Sequence, residues 1–237
     1  MVVLIMKKRF AITIGLLGML AETVSASEGI NTMHEGFVDV SVAVSGVIAE
    51  PRYAGSDNFV GAPVDGYDAQ KVVVSREVAA ALAGVQSELA ERGMALKLFD
   101  GYRPQQAVDH FMRWIADKSD TRMKDKYYPD VSKSDLVPLG YIAEKSGHSR
   151  GGSVDLTIVV RSANGDWQEM DMGSHWDLFD ERSHAASKLV SEQAQANRKL
   201  LADSMTKYGF RPYSEEWWHF TLDPEPYPDT YFDFPIK

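Results

Sequence analysis

Ten consecutive residues carry the densest chemistry of this 237-residue chain: Ser146-Gly147-His148-Ser149-Arg150-Gly151-Gly152-Ser153-Val154-Asp155. A histidine stands among small residues. Seven positions later an aspartate sits in the run Val154-Asp155-Leu156-Thr157-Ile158-Val159-Val160, which reads as a strand. Burying a carboxylate is costly unless it is paired or bound to a metal. Asp155 therefore asks for a partner, and His148 is a neighbour that can share a cation with it. The same residues also fit a serine-rich turn with a surface histidine and a hydrogen-bonded aspartate, and one His…Asp pair does not decide between the two. The glycines and serines allow unusual dihedrals and a close approach to the backbone.

A second group, Ser214-Glu215-Glu216-Trp217-Trp218-His219, offers the complement. Glu216 and His219 are three apart, which puts them on one face of a helix but on opposite faces of a flat strand. We place Glu216 in irregular backbone at a strand entrance and His219 inside the strand, with the tryptophans as apolar walls. His219 also fits a core histidine beside tryptophans. Taken together, His148, Asp155 and His219 with Glu216 left over have the formula of a catalytic zinc site: three protein ligands, an open position and a nearby base. The helical His-Glu-x-x-His arrangement is absent. His34, His110, His175 and His184 have no persuasive carboxylate at ligand spacing. The chain contains no cysteine, so any metal is held by His, Asp or Glu, which suits Zn2+ or a similar ion.

The elements that must position these residues are legible in outline. Phe37–Val42 alternates like a strand. Residues 51–59 read as a loop with an exposed-looking tyrosine, Tyr53. Ser75 followed by Glu77 starts a helix reaching about Glu91, with Gly93 as its stop. Ala95–Asp100 reads as a strand, Asp100-Gly101-Tyr102-Arg103-Pro104 as a turn, and Gln105 to about Asp117 as a helix. Residues 118–147 form the longest loop. Asn164-Gly165-Asp166 is a hairpin signal with a return strand ending near Met170. Residues 171–183 form an acidic, aromatic loop, Ser187–Lys207 a helix closed by Gly209, and Trp217–Leu222 a strand. Irregular alternation with a hairpin favours an α+β fold: a single domain with a mostly antiparallel central sheet flanked by helices and the zinc site in a small cleft.

Composition is that of an ordinary globular chain, 44% hydrophobic and 25% charged, with a formal net charge of -9. An acidic chain without a basic stripe argues against nucleic acid as partner. Residues 1–26 read as a signal peptide, with Lys7-Lys8-Arg9 before an apolar stretch, Phe10–Leu20, and Val24-Ser25-Ala26 as the cleavage pattern after which the cut is expected. That stretch is short for a membrane span, so no stable insertion is expected after cleavage, the alternative being a retained anchor. Residues 27–237 then form the mature domain, periplasmic or secreted.

The pattern Ser-x-His-x-x-Gly-x-x-x-Asp, followed far downstream by Glu-Trp-Trp-His, resembles the VanX-type zinc D-alanyl-D-alanine dipeptidases of peptidase family M15. The resemblance extends to Asp57-Asn58-Phe59, Pro63-Val64-Asp65-Gly66-Tyr67, Asp100-Gly101-Tyr102-Arg103-Pro104, Met172-Gly173-Ser174 with Asp177, Asp180-Glu181-Arg182-Ser183-His184, Glu225-Pro226-Tyr227-Pro228 and Tyr231-Phe232-Asp233-Phe234-Pro235. It implies His148, Asp155 and His219 as ligands of one zinc, Glu216 as general base and acid, and Arg103 as the oxyanion partner. It places Tyr53, Asp155 and Asp177 around the substrate's ammonium and Ser146 near its backbone or carboxylate, with His184 structural. Without it, Arg103 fits a surface ion pair and Asp177 a solvated loop acid.

The implied reaction is hydrolysis of D-alanyl-D-alanine, a small D-dipeptide, to two D-alanines by metal-activated water. An exported enzyme meets the dipeptide released by wall turnover, which favours scavenging over glycopeptide resistance. The competing readings are a D,D- or L,D-carboxypeptidase or endopeptidase acting on peptidoglycan stem peptides, and a non-catalytic wall-binding module. Oligomeric state is not readable from the chain.

Overall fold

In the computed structural model, which describes residues 33–237, the apolar run around Asp155 becomes the longest strand, β5 (Ser153–Arg161). Its first seven residues are all buried, so an unbroken apolar pattern is what both of its faces require. The strands before it are β1 (Phe37–Asp39), β2 (Ile48–Ala49), β3 (Val73–Ser75) and β4 (Met94–Asp100); those after it are β6 (Trp167–Glu169), β7 (Phe210–Pro212) and β8 (His219–Leu222). The main sheet runs β2-β4-β5-β8-β7, with β6 also beside β5, and β1 and β3 pair separately. Only β2–β4 in the main sheet is parallel, in line with the mostly antiparallel expectation. The expected targeting segment, residues 1–26, lies outside the described residues.

Among the described residues five α-helices complete the fold: α1 (Val40–Ala43), α2 (Arg76–Ala90), α3 (Gln105–Ala116), α4 (Lys124–Tyr127) and α5 (Glu192–Lys207). In α2 the buried residues Val78, Leu82, Val85 and Leu89 fall on one stripe. That stripe lies against β4 and α5, while α5 also packs on β7. Ser75 caps α2 through Val78 N–H at 3.3 Å.

Several boundaries differ from the sequence reading. The strand expected over Phe37–Val42 stops at Asp39, whose carboxylate accepts from Ser41 N–H at 2.9 Å and starts α1. The last helix begins at Glu192 rather than Ser187, because Ser191 supplies the cap through Ala194 N–H at 3.1 Å. The final strand starts at His219, since Trp217 and Trp218 form a turn. The long loop 118–147 contains α4.

Register is what the sheet contributes to chemistry. Asp155 on β5 stands opposite His219 on β8 and opposite Asp100 on β4. Directly opposed residues share a face, so three polar side chains line up across three strands. A bulge between Leu98 and Asp100 produces the second pairing, shifting Asp100 by one residue relative to the rest of β4.

Candidate active site

The centre is a triangle of three ligand atoms. His148 Nε2 and His219 Nδ1 are 3.1 Å apart, His219 Nδ1 and Asp155 Oδ1 3.0 Å, and His148 Nε2 and Asp155 Oδ1 3.3 Å. Ligands about 2.0–2.2 Å from a tetrahedral zinc stand about 3.3–3.5 Å from one another, so the triangle fits one such ion. The outer ring nitrogens reinforce this. His148 Nδ1–H donates to the Gly101 carbonyl at 2.7 Å, and His219 Nε2 faces Thr221 Oγ1 at 3.4 Å. With protons on those outer nitrogens, two imidazole lone pairs and a carboxylate converge on one point, an arrangement that suits a cation. Among the described residues no other group of three His, Asp or Glu side chains converges this way.

Each ligand reaches the centre by a different route. Asp155 and His219 come from facing strands. His148 comes from the 3-10 turn Gly147–Arg150, capped by Ser146 Oγ, which accepts from His148 N–H at 3.2 Å. The turn closes on Gly151, whose φ of 72° is left-handed. Its glycines lie close to this protein's own side chains: a Cβ on Gly151 would meet Phe37 at 2.5 Å, and one on Gly147 would meet Ser153 Oγ at 2.7 Å.

Glu216 stands beside the triangle, its Oε2 3.8 Å from His219 Nδ1. Residues 216–219 form a turn in which His219 N–H donates to Glu216 C=O at 3.3 Å. That turn answers the spacing problem: neither a helix nor a strand brings the pair together. Burial, and after it the negative charges of Asp155 and Asp177, hold the Glu216 carboxyl well above the ordinary glutamate range.

Arg103 is largely buried, with Nε and Nη2 each 3.0 Å from Asp100 Oδ2 and Nη2 3.6 Å from Asp155 Oδ2. Its guanidinium lies over the rings of Tyr53 and Phe111 at 5.1 and 5.2 Å. The surface ion pair left open by its sequence context is thereby replaced by an internal one.

Tyr53 is not exposed, contrary to the loop-like sequence around it. It is 1% accessible, packed on Phe59, Phe111 and Trp176, and its hydroxyl donates to Asp177 Oδ2 at 2.7 Å. Asp177 is buried too. It is the sole non-glycine residue with positive φ, 60°, among the described residues, a conformation that persists only where its surroundings over-determine it. Burial, then the charge of Asp155, raises its carboxyl well above the usual range.

A cavity of about 180 Å3 joins these groups, lined by all eight expected site residues. Tyr141, Ile142, Phe179 and Tyr213 add apolar wall. A site this small, with a cation seat, a base and a buried acid, suits a short ligand carrying a positive end.

The sequence profile of the M15 peptidases, described as D-ala-D-ala dipeptidase, matches residues 33–237. Proteins named D-alanyl-D-alanine dipeptidase from Enterococcus faecalis and Enterococcus faecium are 42% and 43% identical over 205 residues, 86% of this chain and the whole of each relative. One of the same name from Streptomyces coelicolor is 44% identical over 200 residues, 84% of this chain and 98% of its own. The chain belongs to the M15 peptidase family.

Within this M15 chain the structure adds two side chains that sequence reasoning did not single out. Asp100, 2% exposed, accepts from Tyr67 O–H at 2.8 Å and Gly101 N–H at 2.9 Å besides holding Arg103. Its position in the Asp-Gly-Tyr-Arg-Pro motif, three residues before the arginine, was the available signal. Trp176 directs Nε1–H at Asp155 Oδ2, 3.4 Å away, and only its adjacency to Asp177 hinted at it. His110 and His184 each meet one distant carboxylate, Asp65 at 3.1 Å and Glu215 at 3.2 Å, pairs that spacing along the chain could not reveal.

Proposed function

We propose that this protein hydrolyses D-alanyl-D-alanine to two D-alanines, with His148, Asp155 and His219 holding a zinc ion. The observation that carries the reading is the triangle of converging lone pairs inside a small cavity, in a chain that matches dipeptidases along their whole length. A zinc ion held there would supply Lewis acidity and lower the pKa of water toward neutrality.

The chain's own residues do the rest. Glu216 accepts the water proton as the carbonyl carbon is attacked. It then delivers that proton to the departing amine nitrogen as the peptide bond breaks. Arg103, held by Asp100, faces the oxyanion that develops on the carbonyl oxygen. Asp177, oriented by Tyr53, receives the substrate's ammonium, and Asp155 adds negative charge on that side. Ser146 lies at the cavity edge beside the remaining backbone. A buried acid at one end selects a free N-terminus, hence a dipeptide over a stem peptide.

Residues 1–26 serve as a signal peptide in this reading, so the enzyme works outside the cytoplasm and scavenges dipeptide released from the wall. No helix among the described residues is long and apolar enough to cross a membrane.

The test measures D-alanine release from D-Ala-D-Ala and from N-acetyl-D-Ala-D-Ala, with and without chelator. Chelation is expected to abolish cleavage, and Glu216→Gln to lower kcat about 10²–10⁴-fold. Full activity in the chelated protein or in the Glu216→Gln variant, or a preference for the acetylated substrate, overturns the reading.

A further inference from the structure

One buried cation has no part in the chemistry above. Arg198, on α5, is 3% exposed and forms no ion pair among the described residues. Burial pulls its pKa down to about 10. Keeping a cation there without a counter-ion is costly unless its donors are satisfied. Four of its five are: Nε donates to Met172 C=O at 2.6 Å, Nη1 to His184 C=O at 2.8 Å, and Nη2 to Arg182 C=O at 2.8 Å and Ser174 Oγ at 3.4 Å.

These acceptors bracket one segment, 172–184, with Trp176 and Asp177 in its middle. A single guanidinium thus ties both ends of the loop. The loop also lies directly on α5. Asn197 Nδ2 donates to Asp171 C=O at 2.8 Å, and a Cβ on Gly173 would meet Ala194 at 3.1 Å. On its other side Ser174 Oγ accepts from Trp217 Nε1–H at 2.9 Å, and Ser183 C=O accepts from Trp217 N–H at 3.0 Å. The residue after Glu216 is therefore bound to the loop that presents Asp177, which holds its unfavourable φ of 60° at the cavity.

We propose that Arg198 is a positioning residue for substrate recognition, acting through the 172–184 loop to hold Asp177 where it meets the ammonium of the substrate. The proposal rests on the reading of Asp177 as ammonium partner. Arginine suits the task because its planar fork sends five donors in fixed directions, whereas the three donors of lysine radiate from one atom. Arg198→Lys keeps the charge and the buried stem but cannot span Met172 at one end and Arg182 and His184 at the other.

The experiment uses the zinc-loaded protein in four forms: wild type, Arg198→Lys, Asp177→Asn and the double variant. Arg198→Lys is expected to keep its zinc, whose ligands lie on other elements. Its KM for D-Ala-D-Ala should rise about tenfold, the scale of one charge-assisted contact, with a smaller change in kcat. Asp177→Asn should then cost much less in the Arg198→Lys background than alone. Backbone amide exchange over 173–183 should quicken while α5 stays protected. Strictly additive effects, or unchanged exchange in the loop, overturn the proposal. If Arg198→Lys fails to fold, Arg198→Gln, which keeps donors for one end only, is measured the same way. A wild type inactive on the dipeptide refutes the dipeptidase reading instead, and loop exchange in the variants still decides the role of Arg198.

Discussion

Tyr53→Phe isolates a single hydrogen bond, because phenylalanine retains the ring that packs on Phe59, Phe111 and Trp176 and over which the Arg103 guanidinium lies. What is lost is the hydroxyl that donates to Asp177 at 2.7 Å. Both partners are nearly inaccessible, at 1% and 4%, so solvent cannot replace the bond. Leaving a buried acceptor without its partner costs about 1–3 kcal/mol. The variant should lose about that much stability, and Tm should fall about 2–4 °C for each kcal/mol in a domain of this size. The functional effect runs the same way. The tyrosine bond is among the forces that pull the Asp177 carboxyl down against its burial, so without it the carboxyl holds its proton more tightly and offers less charge to an ammonium. KM for the free dipeptide should rise about 10–100-fold, with kcat changed far less, since Glu216, Arg103 and the three metal-facing residues keep their contacts. Steady-state kinetics and a thermal melt read both numbers. An unchanged KM, or a fall in kcat at constant KM, refutes the assignment of Tyr53 and Asp177 to substrate binding.

Gly101→Ala should damage the metal seat without touching a ligand: its Cβ would meet the Val73 carbonyl at 2.3 Å, displacing the carbonyl that orients His148. Zinc affinity should drop about 10–100-fold in a competitive chelator titration, and full affinity would show that this carbonyl is dispensable. A pH series on metal-free protein tests the buried acid. The folded carboxyl of Asp177 lies above its unfolded value, burial first and Asp155 second. Its folded form therefore holds more protons than the unfolded chain, and its contribution, full below about pH 3.9, is lost as pH rises toward the folded pKa. Wild type should thus lose stability relative to Asp177→Asn between acid and neutral pH, and parallel melting curves would refute the raised pKa.

The central strand and helix α2 were legible because each carries a local signal: an apolar run, and Ser75 with a following stretch rich in alanine and leucine. His148, Asp155, His219 and Glu216 were visible as types and spacings, although only the turn at 216–219 shows how the last two meet. What stayed hidden was decided by contacts distant in sequence. Tyr53 sits in loop-like sequence, yet Trp176 and Asp177, more than a hundred residues on, bury it. Asp100 looked like a turn residue until the bulge in β4 set it against Asp155. The α5 boundary was missed because Ser187 and Ser191 both have the chemistry of a cap, and only Ser191 makes the cap bond.

These differences separate two kinds of construction in one cavity. Asp155, His219 and Asp100 are placed by strand register, where a one-residue slip sends every side chain to the opposite face; no small displacement of theirs is available. Asp177 and Glu216 are placed by a loop and a turn held through side chains such as Arg198, Tyr53 and Trp217, and Ser146 by the 3-10 turn it caps. His148 belongs to both, since its turn is irregular but its ring is fixed by a carbonyl at the end of β4. On the proposed roles, changes in the loop set should therefore alter which substrate is accepted while the metal seat survives, whereas changes in the sheet set should remove the metal first. Binding affinity for the dipeptide and zinc affinity should accordingly vary independently among variants of the two sets, with Gly101 and His148 as the junction where they move together.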